Sequence, residues 1–400
     1  MNKQKYGGCV RAMLGIFIAA AMLCGMLDGA VPERVSVRGD ALSEAAVEYG
    51  FDLDRETAAA CLSEGAGCHT IKCTAKLFGI LPIKTVDVSV FGDVTLIPGG
   101  VPFGVKLYTE GVVVMGISEV ACGDGAASPA KDAGIREKDV ICAIDGVPVN
   151  SAEEITSRME ECGGRPVRVT VMRDGGKLEL TVTPVLSAED GKYRTGMWIR
   201  DNTAGIGTVT YVDPEDMEFA GLGHGICEHD SGELVELVRG SIVNVTISSV
   251  IKGKAGCPGE LKGYFSSGRI GALLKNNACG VYGVLAELPA GMGNEAMPIA
   301  LADEICEGEA QLLCTTDEHG IAAYTVKLSN IDRSGRDVKN FVVTVTDPAL
   351  LERTGGIVQG MSGSPLVQNG KLIGAVTHVL INDPAKAYGI FIENMLAAAD

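Results

Sequence analysis

Apolar and polar residues alternate strictly at Thr85-Val86-Asp87-Val88-Ser89-Val90, a period of two that predicts a strand with one buried face. From about residue 195 to the end the same kind of signal is dense. Short apolar runs at 207–212, 242–247, 280–285, 309–315, 322–328 and 342–346 are separated by glycine-containing turns. Such spacing predicts a pair of small antiparallel barrels, with any active site in the cleft between them. Between residues 98 and 185 the pattern is mixed. Strands are expected at 105–107 and 111–115, an apolar stretch at 139–149, a helix over 152–162 and two closing strands at 167–173 and 177–183. A terminal helix is expected at 393–399. The segment 29–97 mixes charge with short helical patterns, such as 41–47, and reads as a stalk or small subdomain.

One run departs from all of this. Lys3, Lys5 and Arg11 precede sixteen uncharged residues, 12–27, longer than a usual signal-peptide core and shorter than a comfortable membrane span. A cleaved signal or an uncleaved anchor over 1–28 fits. Basic residues ahead of the apolar run put the rest of the chain across the membrane from the cytoplasm. No clean cleavage site follows, which favours the anchor.

Composition narrows the partners. Of 400 residues 46% are hydrophobic, enough for two or three real cores, and 53 glycines with a single tryptophan fit turn-rich β modules. The net charge of −17 argues against nucleic acid and acidic membrane surfaces, and leaves protein as the expected partner. Thirteen cysteines would normally signal disulfides in an exported chain, yet they are scattered and no Cys-x-x-Cys pair occurs. Small buried hydrophobes explain them more simply. The trio Cys61, Cys68 and Cys73 could pair or hold a metal, but no structural zinc spacing is present and no cofactor is expected.

Candidate chemistry is concentrated near the C-terminus, at Gly360-Met361-Ser362-Gly363-Ser364-Pro365 followed by the strand-like 372–377. A Gly-x-Ser-Gly-x-Pro turn feeding a strand is how chymotrypsin-like peptidases present their nucleophile. The small residues let the backbone curl so that the Ser362 hydroxyl points out. The N–H groups of Gly360 and Ser362 can then converge on a developing oxyanion. A plain turn is the alternative. Of the five histidines, His224 stands 138 residues earlier on a glycine corner, Gly221-Leu222-Gly223-His224-Gly225, just after a strand. Histidine before serine is the chymotrypsin order, not that of α/β-hydrolases. Ser364 is expected to support the turn, and His378 either to line the specificity pocket or to pack beneath it, with packing favoured. The segment 375–378 should be the strand against which substrate pairs.

The order of elements over 98–190, with Ala133-Gly134-Ile135, Asp139-Val140-Ile141 and Ile144-Asp145-Gly146 as its most specific strings, resembles a PDZ domain. Such a domain implies peptide binding by β-augmentation along the strand beginning at Val105, with the N–H groups of Phe103 and Gly104 facing a terminal carboxylate. Together with residues 78–86, 221–226 and 354–365, the whole of 75–400 resembles the stage IV sporulation protein B peptidases, the S55 family of the chymotrypsin-like clan. The resemblance implies a mainly β protein: an N-terminal membrane segment, a stalk at 29–97, a PDZ domain at 98–190 and a double-barrel serine peptidase at 195–400. It implies an endopeptidase of endospore formers that crosses the forespore membrane and cleaves itself. It also implies cutting of a membrane-bound regulator of an intramembrane protease, which leads to sigma-factor activation.

By the same resemblance Ser362 is the nucleophile, His224 the general base and Asp347 the acid that orients it. Asp213 and Asp230, nearer His224 in sequence, remain competitors, and an Asp-Pro turn is the other explanation of Asp347. Met361 stands where trypsin-like enzymes carry an aspartate that captures a new N-terminus, and methionine cannot form that ion pair. Self-cleavage should therefore act by freeing the protein or relieving inhibition, not by building the oxyanion hole. Two other readings stay open: an HtrA-type quality-control protease, whose PDZ unit follows rather than precedes the protease, and a catalytically idle PDZ scaffold.

Overall fold

In the computed structural model the described residues are 34–48, 68–77, 81–123, 125–227, 232–235, 237, 239–333 and 338–399. The expected membrane segment at 12–27 lies outside them, as do Cys61 and Asp230. Among the described residues no helix is long and apolar enough to cross a membrane, and no group of three or more His, Cys, Asp or Glu side chains is placed to hold a metal ion.

Two six-stranded barrels carry the C-terminal half. The second closes in the order Gly308–Thr315, Ile321–Ser329, Phe341–Val345, Lys386–Phe391, Lys371–Val379, Pro365–Gln368 and back. Its strands follow the alternation read from the sequence: in Phe341–Val345 every second residue is buried. Leu312, Val326, Phe341, Val343 and Leu366 meet in one core, removing apolar surface from water.

The first barrel is not what the linear map implies. It takes Met197–Val212, Glu218–Gly221, Gly280–Leu285, Glu260–Asn277 and Arg239–Ile251, and it closes on the inner half of Pro102–Ile117, a sixteen-residue strand that precedes the PDZ unit. Gly104 pairs with Ile206 on one side and with Val243 on the other. Phe103 is fully buried in this barrel's core, edge-on to Phe219 at 5.8 Å. The expectation that Phe103, Gly104 and Val105 bind a peptide is therefore corrected: both edges of that strand already carry ladder hydrogen bonds, so no edge is open to augment.

The PDZ unit is an excursion from inside this barrel. Pro102–Ile117, the outgoing strand, runs out of the barrel into the PDZ sheet, and Met197–Val212, the return strand, runs back beside it. At the joint the pairing slips, from Arg200 opposite Val113 to Asn202 opposite Tyr108, and Gly111 there has φ +84° with no room for a Cβ against the Ile141 carbonyl. The unit is completed by Val140–Ile144, Val167–Arg173, Gly176–Val182 and a helix, Ala152–Glu161. Ser151 caps that helix by accepting the Glu154 N–H. Asp139 is almost wholly buried, yet a two-pronged contact from Arg173 at 2.7 Å and the Arg136 N–H hold its carboxyl below the usual range against the opposing effect of burial.

The N-terminal subdomain is a three-stranded sheet, Arg34–Arg38 beside Leu81–Phe91 and that beside Cys68–Leu77, with a helix at Leu42–Glu48. It docks on the second barrel through Arg38, which donates to the Ile299 carbonyl and to Glu304. Lys371 donates to the same carboxylate from the barrel side. Burial would raise the Glu304 pKa, but these cations and the Leu301 N–H bring it down to about 2.

Candidate active site

The two barrels face each other across a cleft of about 380 Å³ whose lining includes both His224 and Ser362. Each side chain is delivered by a glycine-driven turn. On the second barrel a short helix, Pro348–Thr354, ends at Gly355 with φ +75°, and the chain then curls through Gly360 at φ +97° and Gly363 at φ +94°. Side chains disfavour such angles, and a Cβ on Gly363 would lie 2.1 Å from the Thr208 carbonyl oxygen.

Within this curl most amides are committed. Gln359 N–H donates to the Gly259 carbonyl, Met361 N–H to Val358, Gly363 N–H to Val376 and Ser364 N–H to Met361. The N–H groups of Gly360 and Ser362 have no acceptor among the described residues. They are the two donors that the sequence motif nominates. Met361 is fully buried in the second barrel's core, and its sulfur accepts the Val358 N–H at 3.3 Å. Apolar packing thus holds the loop where trypsin-like enzymes use an ion pair. Ser364 is buried too, with its hydroxyl unpartnered among the described residues.

On the first barrel, Glu218–Gly221 ends in two consecutive left-handed residues, Leu222 and Gly223, both at φ +66°, and the turn presents the half-buried His224. Its Nδ1 lies 2.9 Å from the Gly225 carbonyl. A carbonyl only accepts, so Nδ1 carries the proton and Nε2 is left as the acceptor, the tautomer a general base needs. Burial lowers the imidazole pKa, with the Gly225 contact opposing it, so the ring is neutral at pH 7. The His378 ring packs on it, centroids 4.5 Å apart and planes tilted by 35°.

The acid expected at Asp347 is not brought to this histidine. Asp347 is the N-cap of Pro348–Thr354: Oδ1 accepts the Ala349 and Leu350 N–H groups and Oδ2 accepts the Thr325 N–H. It is absent from the cleft lining, because Pro348 at the first helical position and the free N–H groups after it make this aspartate a cap. Asp213 likewise closes a local turn by accepting the Glu215 N–H. Among the described residues the hydrogen-bond partner of His224 Nδ1 is a main-chain carbonyl and its ring neighbour is His378.

Ser362 Oγ donates to the Thr377 carbonyl at 2.8 Å, so the hydroxyl rests on the substrate-side strand and not on His224. Val379 pairs with Ala387 and the Thr377 hydroxyl donates to the Tyr388 carbonyl, while among the described residues no strand lies on the other side of 377–379, which leaves an edge for an extended substrate. Residues that the sequence reading missed tie the halves together. Thr208 N–H donates to the Ser362 carbonyl at 2.9 Å, its hydroxyl donates to the Gly360 carbonyl at 2.8 Å, and the Thr210 hydroxyl donates to the Gly363 carbonyl at 2.8 Å. The signal was Thr208-Val209-Thr210, two hydroxyls on one face of an otherwise apolar strand. Among the described residues lining the cleft there is no Asp, Glu, Lys or Arg; Ile206, Leu222, Ile357, Val358, Val379 and Ile381 make that lining apolar around the two histidines and the serine.

The SpoIVB peptidase S55 family profile matches residues 191–396, and a PDZ domain profile matches 103–183. The first residues of the latter match are those the fold assigns to the barrel. Magnetosome formation protease MamE of Paramagnetospirillum magneticum is 36% identical over 93 residues, 23% of this chain and 13% of that protein. Zinc metalloprotease RasP of Shouchella clausii is 36% identical over 80 residues, 20% of this chain and 18% of that protein. The chain therefore spans less than a fifth of the length of either relative. A solved structure of human heparin binding protein aligns at TM-score 0.23 and 12% identity, over 45% of this chain and 72% of that one.

Proposed function

The chain belongs to the SpoIVB peptidase S55 family, a family of serine peptidases, and we propose that it is a serine endopeptidase working through Ser362 and His224. The observation that carries this reading is the cleft: the Ser362 hydroxyl, the neutral His224 imidazole with Nε2 available, and two main-chain N–H groups without acceptors among the described residues, all at the seam of two barrels.

In this mechanism the Ser362 hydroxyl turns from the Thr377 carbonyl towards His224, a change that breaks one hydrogen bond worth about 1 kcal/mol. As Oγ attacks the scissile carbonyl carbon, its proton passes to Nε2 and the carbonyl electrons move onto oxygen, which the Gly360 and Ser362 N–H groups hold. The imidazolium then protonates the leaving amine as the C–N bond breaks, and water repeats the sequence on the acyl-enzyme. The Gly225 carbonyl keeps the proton on Nδ1 throughout, and the His378 ring fixes the plane of His224 in the role a carboxylate plays in a triad. The described lining of the cleft, apolar and without charge, favours an apolar side chain at the cleaved position.

The finer reading is that the enzyme cleaves itself and a membrane-bound regulator of an intramembrane protease, tethered or released beyond the forespore membrane during sporulation. Family membership and the built-in PDZ unit support it. Purified wild-type and Ser362→Ala proteins, compared by N-terminal sequencing of their fragments and by labelling with a fluorophosphonate, test the core of the proposal. Labelling and self-processing confined to the wild type are expected. Equal processing by both would remove Ser362 from the chemistry.

A further inference from the structure

The link between Arg239–Ile251 and Glu260–Asn277 is a strap, residues 252–259, that leaves the first barrel and fastens to the second. Its turn is closed by Lys254 and Cys257, each donating its N–H to the other's carbonyl, and Gly256 supplies φ +79°. One side is held by the chain that leads into the nucleophile turn. Lys252 Nζ donates to the Glu352 carbonyl and Gly253 N–H to the Thr354 carbonyl, both at 2.8 Å. The other side is held beyond the substrate strand, where Gly256 N–H donates to the Ile381 carbonyl at 2.9 Å. Pro258 of the strap lines the cleft.

The end of the strap makes its closest fit. Gln359 N–H donates to the Gly259 carbonyl at 2.9 Å and Leu261 N–H donates to the Gln359 carbonyl at 2.8 Å, a parallel bridge centred on Glu260. A Cβ on Gly259 would lie 2.7 Å from Val358 Cγ1 and 2.2 Å from the Ile251 carbonyl oxygen, so glycine is what lets the segments approach. Leu261 belongs to the first barrel by its strand and to the second by its side chain. It is 2% exposed and shares a core with Ile357, Val358 and Met361.

These bonds fix the direction of two N–H groups. In a trans peptide the C=O and the N–H that follows it point opposite ways, and the peptides of the described residues are trans. Ser364 N–H holds the Met361 carbonyl, so the Ser362 N–H is aimed from within the turn. Leu261 N–H holds the Gln359 carbonyl, so the Gly360 N–H is aimed from the opposite barrel. Burial of Met361 keeps the loop in place but does not set the direction of that peptide. We propose that Leu261 is a positioning residue: its main-chain N–H, by holding the Gln359 carbonyl, keeps the Gly360 N–H turned towards the developing oxyanion. The Gly256 end of the strap braces the far wall and does not aim a donor. This role rests on the peptidase reading above, and it makes the oxyanion site complete only when the two barrels are joined at 259–261.

The test uses the full chain carrying an ester at residue 261 or, separately, at residue 256. In each case the amino acid is replaced by its α-hydroxy analogue, which deletes one N–H and keeps the side chain. The substrate is a peptide anilide with an apolar residue at the cleaved position, and the probe is the matching peptidyl trifluoromethyl ketone, whose adduct with Ser362 carries an oxyanion. The ester at 261 should lower kcat about 10- to 100-fold, part of the roughly 10²–10³ that loss of an oxyanion donor costs, with KM within about twofold. It should weaken the ketone at least tenfold and leave the affinity of the corresponding peptide amide within about twofold. The ester at 256 should leave kcat within about twofold. Thermal unfolding establishes that both proteins are folded. In the unmodified free protein, NMR coupling across the hydrogen bond from the Leu261 nitrogen to the Gln359 carbonyl carbon is expected, and this measurement needs no variant. Absence of that coupling overturns the proposal whether or not the 261 ester folds. Unchanged kcat in a folded 261 ester, or equal losses in the two esters, also overturns it. A wild type that shows the coupling yet neither hydrolyses the anilide nor takes the ketone overturns the peptidase reading and leaves the Leu261 bond standing.

Discussion

Replacing Thr208 by valine keeps the bulk of a nearly buried side chain and deletes one hydroxyl, the donor to the Gly360 carbonyl at 2.8 Å. The Gly360–Met361 peptide lies between the two N–H groups that would hold the oxyanion, so the aim of both depends on that carbonyl staying where it is. Leaving it without its donor costs about 1–3 kcal/mol of stability. Losing one oxyanion donor outright is worth about 10²–10³ in kcat. A loop that loses one of its two Thr208 tethers, keeping the N–H bond to Ser362, should lose part of that. The expectation is a fall in kcat of roughly 10- to 100-fold with KM within about twofold, because ground-state contacts on 377–379 are untouched. Steady-state hydrolysis of a peptide ester measures the two constants, and urea unfolding measures stability separately. If stability drops by the expected amount and kcat does not move, Thr208 joins the barrels without shaping the oxyanion site, and the argument from its hydroxyl fails.

Asp347→Ala separates a cap from a catalytic acid: loss of the cap should cost about 0.5–2 kcal/mol in unfolding while kcat/KM falls less than about tenfold, whereas neutralising a triad carboxylate costs about 10⁴. A fall of that larger size would restore Asp347 to the triad. For His378→Ala, the His224 ring gains solvent and its lowered pKa moves back up. The acidic limb of the pH profile of kcat/KM should shift to higher pH, with His378→Phe shifting it less; a limb unmoved in both variants would remove the stacked ring from any positioning role. Glu304→Gln should weaken docking of the N-terminal sheet, read as faster proteolysis of 34–91. The carboxyl is depressed from 4.5 to about 2, so in the wild type its contribution is complete above about pH 4.5 and is lost as pH falls towards 2. Its size is at most about 3 kcal/mol and is smaller after solvent screening. Docking that is equally firm at pH 3 and pH 7 would contradict that account.

Local pattern carried most elements. The strands expected at 280–285 and 167–173 are present with those bounds, and the helix expected over 152–162 runs Ala152–Glu161. Glycine spacing made the curl around Ser362 and the corner before His224 readable, because few residues other than glycine tolerate those backbone angles. What could not be read was pairing across distance. Nothing local to Phe103-Gly104-Val105 says that its neighbours are 205–207 and 242–244 rather than a peptide. The two stretches read as strands at 105–107 and 111–115 are one strand, because Gly111 bends the chain without ending it. Asp347 was ambiguous for a related reason: Asp-Pro before a helical run is a cap by local chemistry and an acid only by analogy of position.

The nesting of one unit inside another bears on how the chain can be made and cut. Residues 103–108 must wait for 239–244, some 135 residues later, before their second edge is filled, while the loop between them can fold on its own contacts as synthesis proceeds. A shear at a linear boundary near residue 98 or 190 would strip the barrel of a stave. A clean graft or removal has its only natural seam at the paired residues Tyr108 and Asn202, where the ends already lie side by side and a short bridge would rejoin them.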